Sequence, residues 1–98
     1  MAEILVLEFN GIGRTQYDAV NEELGVDPTT MEGDWPKGIV THVGGADDDG
    51  NFIVVELWES TAAQEQFMAD RLGPALGKVG VPAPARVQWF HAWGSHTT

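Results

Sequence analysis

Apolar and polar positions change period several times along the chain, and each change marks an element. Residues 52–58 (FIVVELW) alternate as a strand does, with Ile53, Val55 and Leu57 on one face and Phe52, Val54, Glu56 and Trp58 on the other. Both sets are mostly apolar, so this strand needs cover front and back, and the aliphatic set is the expected bed for a helix. The chain turns at Glu59-Ser60-Thr61, where Ser60 or Thr61 can cap a helix, and Thr61-x-x-Gln64 fits the reciprocal capping pattern. Ala63, Phe67, Leu72, Leu76 and Val79 then recur near helical spacing and predict a stripe lying on the aliphatic strand face. Pro74 lacks the N–H owed to Asp70, which predicts a kink at Gly73-Pro74 and a fresh helical start there.

Residues 4–9 (ILVLEF) predict a first strand, with Leu5, Leu7 and Phe9 on one face and Ile4, Val6 and Glu8 on the other. Thr15 is a candidate cap for a short helix whose Tyr17, Val20 and Leu24 share one side, with Gly25 suited to its end. Residues 26–38 form a long connection of the kind that often covers something. Residues 38–44 read as a second strand, and Asp49-Gly50 signals a tight hairpin into the third. Residues 86–93 (RVQWFHAW) read as an aromatic-rich last strand, followed by a tail expected to fray.

The order is βαββαβ. It predicts one α+β domain over residues 1–98, ferredoxin-like, with a four-stranded antiparallel sheet and two helices on one face. Right-handed crossovers place the first and third strands in the centre. The face away from the helices is expected to carry Ile4, Val6, Phe52, Val54 and Trp58, a sheet surface of roughly 400 Å² that should not stay wet. The economical cover is a second copy of the chain, a homodimer enclosing a lined hollow against the partner or the loops.

Composition narrows the chemistry. The 98 residues include no cysteine, which excludes disulfides, thiolate nucleophiles and cysteine-ligated metals. Fifteen acidic against five basic residues give a formal charge of −10, which disfavours nucleic acid and anionic membrane surfaces as partners. No apolar run approaches a membrane span and no signal-like segment opens the chain, so a cytoplasmic location is the expectation.

With Leu57-Trp58-Glu59-Ser60 leading into a helix that carries Phe67, and then Arg71-Leu72-Gly73-Pro74-Ala75-Leu76, the chain resembles the dimeric α+β barrel superfamily. That superfamily includes the antibiotic-biosynthesis-monooxygenase-like proteins. The resemblance implies the fold and a homodimer. It implies no single reaction, because the superfamily holds cofactor-free oxygenases, isomerases, cyclases and haem-degrading enzymes. The haem-degrading members match at Trp58, but residues 61–79 contain no histidine to serve as axial ligand, and Glu8 stands where their first strand carries Asn.

Three residues are candidates for acid–base work. Glu8 and Glu56 interrupt apolar strands and by parity fall with the open-face set, where neighbouring central strands bring them close enough to raise one another's pKa. His42 alternates with Val40 and Gly44 and is the candidate base for a phenolic or enolic proton. The plainer readings are carboxylates solvated at strand ends and a histidine at an edge or interface. Trp58, Val54, Val6 and Trp89 are the candidate ligand contacts, with Phe90, Trp93 and Trp35 adding flat apolar surface that suits a small planar ligand or a dimer seam equally. No histidine pair has metal-ligand spacing, and Asp47-Asp48-Asp49-Gly50 is better read as a hairpin tip than as a calcium loop. The expectation is therefore an enzyme needing neither metal nor organic cofactor, a monooxygenase or isomerase. The alternatives are a small-molecule-binding module and a dimerisation domain filled by its own aromatics.

Overall fold

The computed structural model describes residues 2–96. Two central strands set the architecture: β1 (Glu3–Phe9) and β3 (Phe52–Trp58) pair antiparallel in the centre of a four-stranded sheet ordered β2-β3-β1-β4. The edges are β2 (Ile39–Ala46) and β4 (Arg86–His91). Helix α1 (Arg14–Leu24) follows β1, and a long helical stretch follows β3: α2 (Thr61–Phe67), a π-helical turn at Met68–Leu72, and α3 (Gly73–Val79). This is the expected α+β, ferredoxin-like arrangement.

The face of β3 that meets the helices is the reverse of the sequence expectation. Phe52, Val54, Glu56 and Trp58 are buried, together with Leu5, Leu7 and Phe9 of β1 and with Val20, Phe67, Ala75 and Leu76 from the helices. Ile53, Val55 and Leu57 lie on the bare side, paired with Glu8, Val6 and Ile4. The mixed aromatic and acidic set won the core because two of its members are large aromatic rings, and each fully buried large apolar side chain contributes roughly 1.5–3 kcal/mol. Glu56 is carried inside with them.

Local chemistry closes the helices. Gly13, not Thr15, is the N-cap of α1, and the Gln16 side chain accepts its backbone N–H at 2.9 Å. Ser60 caps α2, its hydroxyl accepting the Ala63 N–H at 3.1 Å. The helix does not break at Pro74. The Gly73 N–H instead bonds the Met68 carbonyl, five residues back, and the π turn takes up the ladder bond that proline cannot make. On that turn, Arg71 Nη2 donates to the carbonyls of Leu24 at 2.9 Å and Asp34 at 2.6 Å, with its guanidinium 5.4 Å from the centre of the Phe67 ring. Arg71 thereby straps the connection between α1 and β2 to the helical layer. At the hairpin, backbone N–H groups led by that of Asn51 converge on the Asp47 carboxylate and hold it below its ordinary pKa, so the acidic tip is used as a turn.

A methyl group on Gly73 would sit 2.8 Å from the Met68 carbonyl oxygen, which is backbone and cannot swing aside. Gly73→Ala should therefore cost about 1–3 kcal/mol, the range for forced overpacking. Urea unfolding followed by circular dichroism measures it, with a lowered midpoint and an unchanged slope expected.

Candidate functional site

The site starts from an irregularity in β2. Ile39 pairs with Trp58 and Thr41 with Leu57, so the register shifts between them and Val40 is left exposed. Strict alternation from Ile39 would turn His42 to the opposite face. The bulge restores it to the helix side, and Ile39 and His42 both border the same internal cavity.

His42 lies directly across from Glu56 on β3, and its Nδ1 is 2.7 Å from Glu56 Oε2. Its Nε2 is 2.7 Å from the Tyr17 hydroxyl, which reaches over from α1. Trp58 Nε1–H donates to the other Glu56 oxygen at 3.0 Å. The side chains of His42 and Glu56 retain only 10% and 7% exposure. A carboxylate only accepts, so the network assigns the imidazole hydrogen to Nδ1 and leaves Nε2 to accept the phenolic proton. The result is a continuous chain, Tyr17–His42–Glu56–Trp58, in which both imidazole nitrogens and both carboxylate oxygens are engaged. Trp35, from the strapped connection, closes over it with its ring 5.5 Å from that of His42.

Tyr17 reaches His42 because residue 44 is glycine. A Cβ there would lie 2.9 Å from the tyrosine oxygen and 3.0 Å from Cζ. Burial pushes the Tyr17 phenol above its ordinary value near 10.0 and the Glu56 charge adds to this, while the Asn21 amide and Arg14 pull the other way. Asn21 sits one helical turn further on, buried, and among the described residues its Nδ2 has no hydrogen-bond partner.

These groups border a cavity of about 60 Å³ between the sheet and the helices, walled otherwise by side chains such as Leu7, Val20, Val54 and Phe67. An open groove of about 650 Å³ runs along the outer side of β2 past Arg14, Pro28 and Val43, and it shares Ile12, Tyr17, His42 and Phe52 with the cavity. Tyr17 and His42 thus stand between a small, largely apolar space and a larger open one.

Of the residues singled out from the sequence, the structure brings His42 and Glu56 together and puts Val54 on the cavity wall. Glu8 and Val6 point to the bare side of the sheet, opposite Ile53 and Val55, so Glu8 and Glu56 are not neighbours across a hollow. Trp58 is fully buried and holds Glu56 instead of facing the cavity. Trp89 packs beside the core opposite Leu5 and is not part of the cavity wall. This cavity lies on the helix side of the sheet and is lined by residues of a single chain. Tyr17 and Asn21 were missed as site residues; the available signal was an asparagine four positions after a tyrosine, inside the turn-by-turn apolar side of α1. Among the described residues, no group of three or more metal-ligating side chains gathers.

Tyr17 is the only tyrosine in the chain, so ultraviolet titration of tyrosinate reads it without interference. The midpoint should lie above 10.0. The folded phenol keeps its proton longer than the unfolded one, so its contribution to stability is intact below the ordinary value of 10.0 and drains away as the pH climbs from there through the folded value. Gly44→Ala, by displacing the ring outward, should bring the midpoint back toward the ordinary value; an unchanged midpoint would mean that Tyr17 does not need the space above Gly44.

No protein-family model and no curated protein matches the chain. Solved structures do match over nearly its whole length. A Chloroflexus aurantiacus protein described as a "putative Antibiotic biosynthesis monooxygenase" superposes with a TM-score of 0.69 at 12% identity, covering 99% of this chain and 98% of that one. SnoaB, a cofactor-independent oxygenase from Streptomyces nogalater, gives 0.65 at 14% identity over 96% and 95%. The ActVA-Orf6 monooxygenase of Streptomyces coelicolor, solved with nanaomycin D, gives 0.58 at 18% over 99% and 90%. The chain therefore shares the fold of these antibiotic biosynthesis monooxygenase structures.

Proposed function

We propose that the protein is a cofactor-independent monooxygenase acting on a small planar phenolic or enolisable substrate, with His42 as general base. The observation that carries this is the Tyr17–His42–Glu56–Trp58 chain at the wall of an apolar cavity. The fold it shares with oxygenases that are described as cofactor-independent adds support. A planar substrate fits the outer groove, with its acidic proton presented to Tyr17. The tyrosine oxygen takes that proton as its own passes to His42 Nε2, so a phenolate whose formation burial disfavours never has to accumulate. Glu56 offsets the charge that the imidazole gains, and the Trp58 N–H fixes the carboxylate, the orienting role a third group plays behind a histidine base. The carbanion left on the substrate is the species that dioxygen can attack. Returning the proton to a different carbon would make the same site an isomerase.

A second copy of the chain is the proposed partner. The bare sheet face carries Ile4, Val6, Ile53, Val55 and Leu57, flanked by Val43 and Phe90 at 58% and 42% exposure. A patch of that kind calls for cover, and two such faces suit one another across a twofold axis. The site does not depend on this pairing, since every member of the hydrogen-bonded chain belongs to one protomer.

Two measurements test these readings. A panel of hydroquinones and enolisable lactones should yield turnover with dioxygen uptake, and His42→Ala should lower kcat by about 10²–10⁴-fold, the usual worth of a general base. If ligands bind and His42→Ala changes their affinity while no member of the panel is turned over, the protein is a binding module. Sedimentation of the wild type should give a dimer that Val55→Asp converts to monomer, with the Tyr17 titration midpoint unchanged between the two. A wild type that is already monomeric when dilute would remove the partner.

A further inference from the structure

We propose that the cavity behind Tyr17 and His42 is a dioxygen site, with Asn21 Nδ2 as the donor that meets the oxygen when it takes on charge. The inference rests on the monooxygenase reading and adds to it the place and the residue that handle the second substrate. Size is the first argument. About 60 Å³ is well short of the roughly 150 Å³ in which an apolar cavity holds benzene, but it suits a diatomic gas or a xenon atom. An aromatic substrate has to lie in the groove outside, leaving this space to something smaller.

Chemistry is the second. The wall is largely hydrocarbon, from Leu7, Val20, Val54, Phe67 and Leu76. A buried water needs two to four polar partners, and the His42 nitrogens and Glu56 oxygens already each carry a bond within the Tyr17–His42–Glu56–Trp58 chain. Asn21 Nδ2 is the exception, a donor on a side chain that is 8% exposed and borders the cavity without a partner among the described residues. The neighbouring Tyr17 senses it, for the amide favours the phenolate, but the phenol directs its own hydrogen bond to His42. A fixed donor beside the space where charge develops, close enough to Tyr17 for its hydrogen bond to favour the phenolate, is what electrostatic catalysis requires.

The step balances without another reductant. Once the substrate's acidic proton has passed through Tyr17 to His42, the anion, with carbanion character at the reacting carbon, gives one electron to dioxygen, forming a substrate radical and superoxide beside Asn21. These combine through a new C–O bond to a peroxide anion, and the proton returned by way of Tyr17 makes the hydroperoxide, so that R–H and O₂ become ROOH. Where the same carbon bears a second hydrogen, loss of water leaves a carbonyl, with one oxygen atom in the product and one in water. The cavity and the groove adjoin along Ile12, Tyr17, His42 and Phe52, which is where the two reactants meet.

Xenon is the probe. Proton–nitrogen NMR spectra of the full chain under xenon pressure should show saturable shifts centred on Leu7, Val20 and Val54, and Val54→Leu or, should that variant fold poorly, Val20→Leu should abolish them. The same filling variant should raise the KM for dioxygen about tenfold, the scale on which one methylene matters in an apolar site, while anaerobic affinity for the hydroquinone stays within about twofold. Asn21→Leu should leave the xenon shifts in place and lower kcat by roughly 10²-fold, as loss of one oxyanion donor does. Turnover without saturable xenon binding overturns the gas site and leaves the monooxygenase reading standing. Xenon binding without dioxygen uptake on any substrate overturns that reading and the dioxygen assignment with it. An unchanged rate in Asn21→Leu removes the donor role.

Discussion

A carboxylate placed under two helices among phenylalanine, valine and tryptophan has to be given partners, and much of the arrangement around Glu56 answers that requirement. Isolated burial of such a group is among the more expensive things a small core can do. Trp58, two residues along the same strand face, supplies a donor to one oxygen, and His42 across the strand pair supplies one to the other. The imidazole is then left with a single free nitrogen pointing toward α1, where Tyr17 meets it. Each partner is fixed by the one before it, so the chain is ordered before any ligand arrives.

Several irregularities elsewhere serve this one alignment. The bulge at Val40 turns His42 inward, and glycine at position 44 lets the tyrosine ring approach the strand. The π turn carries Arg71, whose bonds to Leu24 and Asp34 hold the connection that brings Trp35 over the imidazole. Such departures from regular geometry are expected where local rules yield to function.

The fold was legible because its signals are periodic. β1, β3, the hairpin at Asp49-Gly50 and the αL glycine after α1 are recognisable from spacing alone. The site was legible in its members and not in its geometry. His42 and Glu56 stand out as polar groups in apolar strands, but the parity argument sent Glu56 to the bare face, since an acid in a strand usually marks the side away from the core. Alternation alone assigns Phe52, Val54 and Trp58 to the outside and Ile53, Val55 and Leu57 to the inside, the reverse of the structure. Burying an acid with its own histidine reverses the inference, and a bulge that realigns His42 leaves no mark in the residue pattern. Tyr17 read as part of an amphipathic stripe, and its role depends on a contact twenty-five positions away.

The protonation pattern of His42 tests the account most directly. Long-range proton–nitrogen NMR of the imidazole ring distinguishes its two nitrogens. The hydrogen-bonded chain predicts a single tautomer with the hydrogen on Nδ1, held by Glu56, and Nε2 behaving as an acceptor that loses this character in Tyr17→Phe. A ring carrying its hydrogen on Nε2, or averaging between forms as a solvent-facing histidine does, would contradict it.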